Sequence, residues 1–134
     1  MRVLENRRLP GLISSGVFTL FQQSTTCHFT DVNLFYSGSD SAGAGLGTAW
    51  GLSLHHELFL FVDKCEFTPL EALRSATSVT ANRFGFDDRG RIAKGLKADL
   101  VLVEGNPVAD IDATLNLRGV WRDGVLAEFY EGMI

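Results

Sequence analysis

From Leu52 onward the apolar residues Leu54, Leu58, Phe61 and Val62 recur at helical spacing, which predicts an amphipathic helix over Leu52 to Lys64. His55, His56, Glu57, Asp63 and Lys64 fall largely off that stripe. A second helix has a clear start at Thr68-Pro69-Leu70-Glu71. This is a capping box: the Thr68 hydroxyl takes an early backbone N–H, and Glu71 reaches back to Thr68. Pro69 sits at the first helical position, where its missing N–H costs nothing. Leu70, Leu73, Ala76 and Thr77 are expected to face the core, with Gly85 as the stop. From Gly90 the pattern changes to short strands and turns. Ala98 to Val103 is apolar and closed by Gly105-Asn106-Pro107. Gly119 to Arg122 and Val125 to Ala127 flank Asp123-Gly124, the strongest short hairpin signal, because a type I′ turn needs positive φ at both central residues.

The first third of the chain is less regular. Residues 1–16 mix arginine with Pro10, Gly11 and Gly16, and Phe18 to Asp31 has no clean period and reads as strand or loop. Arg2, Arg7 and Arg8 ahead of Leu12 to Phe21 loosely resemble a secretory leader, but Glu5, Pro10, Ser14 and Ser15 dilute that pattern. Val32 to Tyr36 reads as a strand, followed by a Gly/Ala/Ser-rich loop over Ser37 to Gly51.

Composition bounds the function classes. With 134 residues, 46% of them hydrophobic and 21% charged, the chain reads as one ordinary globular domain. A complete α/β barrel needs about 250 residues, so this chain is not a complete one. The net charge of -4 and the lack of a basic stripe argue against nucleic acid as a partner. No apolar stretch approaches the roughly 18 residues that span a bilayer. Cys27 and Cys65 are far apart without CxxC spacing, so reduced thiols and a cytoplasmic location are expected.

The chemistry centres on Asp40. The apolar run Val32 to Tyr36 leads through Ser37-Gly38-Ser39 into this carboxylate just where the chain turns into loop. An α/β barrel presents a catalytic or metal-binding acid in that way, at the C-terminal end of a strand. The plainer reading is an Asx turn. Gly43 to Gly47 lacks both the GxGxxG order and the following Lys-Ser of a phosphate cradle. His55 and His56 point about 100° apart on a helix, cannot converge on one ion, and read as helix-surface histidines, with His28 incidental. Asp99 is expected to satisfy turn amides, and Asp87, Asp88, Asp110 and Asp112 to lie on solvated loops.

Several pieces, in order, resemble the C-terminal part of a metal-dependent amidohydrolase of the imidazolonepropionase-like kind. Gly38-Ser39-Asp40-Ser41 resembles the motif closing the eighth barrel strand. Leu54-His55-His56-Glu57-Leu58, Phe67 to Thr77 and Ala81-Asn82-Arg83-Phe84-Gly85 resemble the helices that follow. Gly90 to Val103 is the most specific piece and resembles the return to a small flanking β-sandwich, which Asn106-Pro107 and Val120 to Gly124 complete. The resemblance implies an α/β fold class: an incomplete fragment of a (β/α)8 barrel, its last strand and following helices, plus the C-terminal strands of a small β-sandwich. It divides the chain into an N-terminal segment 1–36, a barrel portion 37–89 and a β-sandwich portion with its hairpin over 90–134.

The function implied is hydrolysis of amide-type or other non-peptide C–N bonds in a small-molecule substrate. In the full-length family a divalent metal, commonly zinc, lowers the pKa of a bound water to roughly 7 and polarises the scissile carbon. Asp40 alone maps onto the aspartate that binds metal and shuttles the proton to the leaving nitrogen. The family's His-x-His pair, its lysine or glutamate bridge and its two later histidines have no counterpart here. A catalytic zinc wants three protein ligands, so this chain alone is expected to bind none. In the family a pair like Gly16-Val17 is followed within a few residues by Gly-Ser-Asp; here Phe18 to Tyr36 intervenes, which marks 1–36 as carrying an insertion or a mispredicted stretch. The rival reading is a truncated, catalytically inert amidohydrolase-derived module. Its helices carry an apolar face with no barrel to pack on, which predicts self-association.

Overall fold

The computed structural model describes Ala49 and residues 51–132. Segment 1–36, the Val32 to Tyr36 run and Asp40 lie outside the described residues. The described part is a partial α/β arrangement: a helical half, a connecting loop and a three-stranded antiparallel sheet.

Helix α1 spans Leu52–Cys65, matching the predicted helix to within one residue. Its buried face is Ser53, Glu57, Leu58, Phe61 and Cys65, so the stripe is rotated from the expected one and Glu57 lies inside, not off it. Glu66 at φ 61 ends the helix in the left-handed region and lets Phe67 fold back beneath it. The rings of Phe61 and Phe67 lie 5.0 Å apart. Helix α2, Pro69–Arg74, opens with the expected reciprocal cap: Thr68 Oγ1 accepts from Glu71 N–H at 3.3 Å, and Thr68 N–H donates to Glu71 Oε2 at 2.8 Å. The carboxyl of Glu71 is held below its usual range, chiefly by the Thr68 hydroxyl. The face it presents inward is Ala72 and Ser75, with Leu73 and Ala76 half-buried. Leu70 and Thr77, expected inside, are exposed. Small side chains allow the close approach of α2 to α1 that Leu70 would block.

The helix continues without a break through a π-helical turn, Ser75–Val79, into α3, Thr80–Arg83. Hydroxyls back-bond to carbonyls along this stretch: Ser75 to Ala72, Thr77 to Leu73 and Thr80 to Ser75. Such bonds compete with the regular ladder and favour a local widening. The loop after Gly85 then packs onto the widened turn. At Gly90, with φ +85, an added Cβ would stand 2.5 Å from the Ala81 Cβ and 3.0 Å from the Thr77 carbonyl oxygen. Only glycine tolerates both the backbone angle and the contact.

Strands β1 (Leu100–Val103), β2 (Leu117–Arg122) and β3 (Val125–Leu126) pair in the order β1-β2-β3. Asp123 (φ 50) and Gly124 (φ 81) make the tight hairpin turn, as the Asp-Gly pair predicts. Asp99 Oδ1 accepts the Asp123 N–H at 2.8 Å, the turn-amide role expected of it. Leu100 lies opposite Trp121, which lies opposite Leu126; Val101 lies opposite Val120. Between β1 and β2 the chain makes a 3₁₀ turn, Ile111–Leu115, capped by Asp110 through the Asp112 N–H. Ile111, Ala113 and Thr114 are buried there, while Asp110 and Asp112 stay exposed, as expected of them.

The core gathers Leu58, Phe61, Cys65, Phe67, Ala72 and Ile111, with Phe59, Val62, Leu73 and Ala76 packed against it. Among the described residues no helix is long and apolar enough to cross a membrane.

Candidate functional site

The site read from the sequence is Asp40, which lies outside the described residues, so its place at a strand end is not on view. The described residues begin at Ala49, just ahead of α1. Ala49 N–H donates to Ser53 Oγ at 2.8 Å, and Ser53 N–H donates back to the Ala49 carbonyl at 3.0 Å. This pair seats the first turn of α1 after Gly51, whose φ of 76 suits glycine. It also explains why a serine is buried at position 53.

That first turn forms one wall of a cleft of about 340 Å³; the 3₁₀ turn Ile111–Leu115 forms the other. Leu52, His55, His56 and Phe59 line it from α1, and Asp112 and Leu115 line it from the 3₁₀ turn. The rings of His56 and Phe59 lie stacked, with centroids 6.1 Å apart and 20° between planes, as expected for residues one helical turn apart. Burial lowers the pKa of His55 from its ordinary 6.5, which favours its neutral form. Its Nδ1 is shielded from water and has no hydrogen-bond partner among the described residues. Asp112 offers its backbone N–H to the cap and is among the residues that line the cleft.

The structure thus brings together His55, His56 and Asp112, which the sequence placed on a helix surface and a solvated loop. Their convergence depends on a fold-back of more than fifty residues, which no local sequence signal marks. They do not make a metal centre. Among the described residues no group of three or more His, Cys, Asp or Glu side chains could hold a metal ion. Elsewhere the carboxylates serve structure. Asp88 receives Arg89 Nε at 2.8 Å, which holds its carboxyl below the usual range, and Arg89 lies 5.0 Å over the Phe86 ring.

Comparison with known proteins defines the lineage. The model of the amidohydrolase family matches residues 9–127. Adenine deaminase 2 of Desulfotalea psychrophila is 47% identical over 60 residues, 43% of this chain and 9% of that protein. Imidazolonepropionase of Deinococcus deserti is 37% identical over 70 residues, 50% of this chain and 18% of that protein. Among solved structures, an amidohydrolase crystal structure matches with a TM-score of 0.51 at 32% identity, over 55% of this chain and 19% of its own. A candidate prolidase from Bifidobacterium longum matches with a TM-score of 0.55 at 33% identity, over 63% of this chain and 22% of its own. The chain therefore spans between 9% and 18% of the length of these curated relatives. A family match that runs through nearly the whole sequence, joined to two structural matches over more than half of it, settles the kinship: this chain belongs to the amidohydrolase family.

Proposed function

We propose that this chain is the carboxyl-terminal part of a metal-dependent hydrolase acting on amide-type or other non-peptide C–N bonds of a small-molecule substrate. The observation that carries this reading is the family match over residues 9–127, which includes Asp40. The names of the relatives, adenine deaminase and imidazolonepropionase, support a small nitrogen-containing substrate. On this reading residues 37–89 are the end of the last barrel strand with its loop and helices, and 90–134 belong to a flanking β-sandwich. Segment 1–36 carries the insertion or mispredicted stretch.

Asp40 is proposed as a ligand of the divalent metal, zinc, and as the group that accepts a proton and passes it to the leaving nitrogen. An ionised carboxylate suits the second task because it is a base near neutral pH within reach of water. The metal would supply an activated water and a polarised carbon when bound. The described residues do not fit a catalytic metal, so no further step is assigned to them. A cytoplasmic location belongs to the same proposal; thiol labelling of freshly extracted protein tests it, two free thiols supporting it and a bridged Cys65 opposing it.

The second reading, a catalytically inert amidohydrolase-derived module, is favoured by one observation. The whole sequence holds three histidines, His28, His55 and His56, and no His-x-His pair. Metal content separates the two. Stoichiometric zinc in the purified chain that is lost in Asp40→Ala supports the hydrolase reading. A chain that binds no zinc at neutral pH supports the inert module.

A further inference from the structure

The cleft between α1 and the 3₁₀ turn has features that the proposed hydrolysis does not use. Its volume of about 340 Å³ falls within the range of small-molecule pockets, which are mostly apolar with a few converging polar groups. Leu52 and Leu115 supply apolar wall, and the stacked pair of His56 and Phe59 supplies an aromatic surface. Among the described residues Asp112 is the one carboxylate that lines the cleft, and no lysine or arginine lines it. Asp112 makes its structural contribution through its backbone N–H, so its carboxylate is available to a ligand. An aromatic surface beside a carboxylate matches one chemistry. Ring faces attract cations, and a carboxylate takes two parallel N–H bonds from a planar amidinium.

We propose that the cleft formed by Leu52, His55, His56, Phe59, Asp112 and Leu115 binds a small planar aromatic cation, such as an arylamidinium or a protonated amino-heterocycle. The ring lies against the His56 and Phe59 faces, and its N–H groups point to the Asp112 carboxylate. Burial disfavours an opposing charge on His55. This inference stands apart from the hydrolase reading, because binding is measured without metal or turnover.

The full chain is titrated at pH 7.5 with benzamidine, benzoate, cyclohexanecarboxamidine and methylguanidine, and binding is read by ligand-observed saturation-transfer NMR and by thermal shift. Benzamidine is expected to bind, benzoate about tenfold more weakly, and the two non-aromatic cations also more weakly, since each keeps only part of the interaction. Asp112→Asn, which keeps the backbone cap, should weaken benzamidine about tenfold and leave benzoate no weaker than before. His56→Ala, at an exposed position, should weaken benzamidine about threefold, with an unchanged circular dichroism spectrum in both variants. Binding of benzoate as tight as benzamidine, of methylguanidine as tight as benzamidine, or of benzamidine unaltered by a folded Asp112→Asn would overturn the proposal. Zinc-free protein is used throughout, so a negative metal assay leaves this outcome intact.

Discussion

The helical half and the sheet half are held by different forces. Around α1 and α2 the chain buries Phe61 to 1% exposure and Ala72 completely, and the aromatic pair Phe61 and Phe67 forms the centre of the interior. In the sheet, Val101 is 60% and Val125 71% exposed, and neighbouring Phe129 reaches 75%. Ladder hydrogen bonds, the Asp-Gly turn and a set of ion pairs keep the sheet together. Lys97 Nζ stands 3.6 Å from both Asp88 and Asp123, and Arg89 stands 3.8 Å from Asp99, which ties the 86–99 loop to the hairpin. Gly124 N–H also donates to the Ala98 carbonyl at 3.0 Å. The lesson is that the same apolar residue types carry stability in one half and not in the other, because burial and not composition sets the hydrophobic gain.

The comparison is broken most directly by removing the centre of the helical half. Phe61→Ala should cost about 3–5 kcal/mol, read as a lowered urea midpoint in helical circular dichroism. A cost under about 1 kcal/mol would mean that the interior is not what holds the helices together. Gly90→Ala tests the junction between the halves. Its methyl must displace the Ala81 Cβ and adopt a left-handed backbone, so a loss of about 1–3 kcal/mol is expected in the same assay.

Thr68→Ala removes the cap of α2 and should cost about 1 kcal/mol at pH 7. The sign of its pH dependence is fixed by Glu71, whose folded pKa lies below its ordinary 4.5. The stabilisation is full above pH 4.5 and fades as pH falls through the lower folded value, so the gap between wild type and Thr68→Ala should narrow in acid. Because Glu71 is largely in water, the narrowing is a fraction of the whole cap. The smallest effect is expected in the sheet: Val125→Thr should change stability by no more than about 0.5 kcal/mol. A larger loss in thermal unfolding would show that the outer face of the hairpin is covered in solution.

Local signals in the sequence were strong where one short stretch carries its own physics. Thr68-Pro69-Leu70-Glu71 encodes a cap, Asp123-Gly124 encodes a turn, and Asp99 meets the turn amide expected of it. The helix from Leu52 was legible from period alone, yet its inward face was not, because Glu57 and Ser53 are buried by what packs over them. The second helix shows the same limit: Leu70 is the better hydrophobe, but Ala72 and Ser75 are the residues that fit between two helices. The π-helical turn left only its hydroxyls as a trace. The candidate site divides likewise, since Asp40 was read from a strand-end pattern, whereas the neighbourhood of His55, His56 and Asp112 exists only after the chain folds back.

What the sequence determined alone was the family, the order of helices and strands, and the points where they start and turn, since these follow from side-chain spacing and backbone angles within a few residues. Tertiary structure decided which faces look inward, that Ile111 joins the core, and that His55, His56 and Asp112 line one cleft. Those outcomes depend on which surfaces meet across tens of residues, and burial is a property of the meeting, not of either strand of sequence by itself.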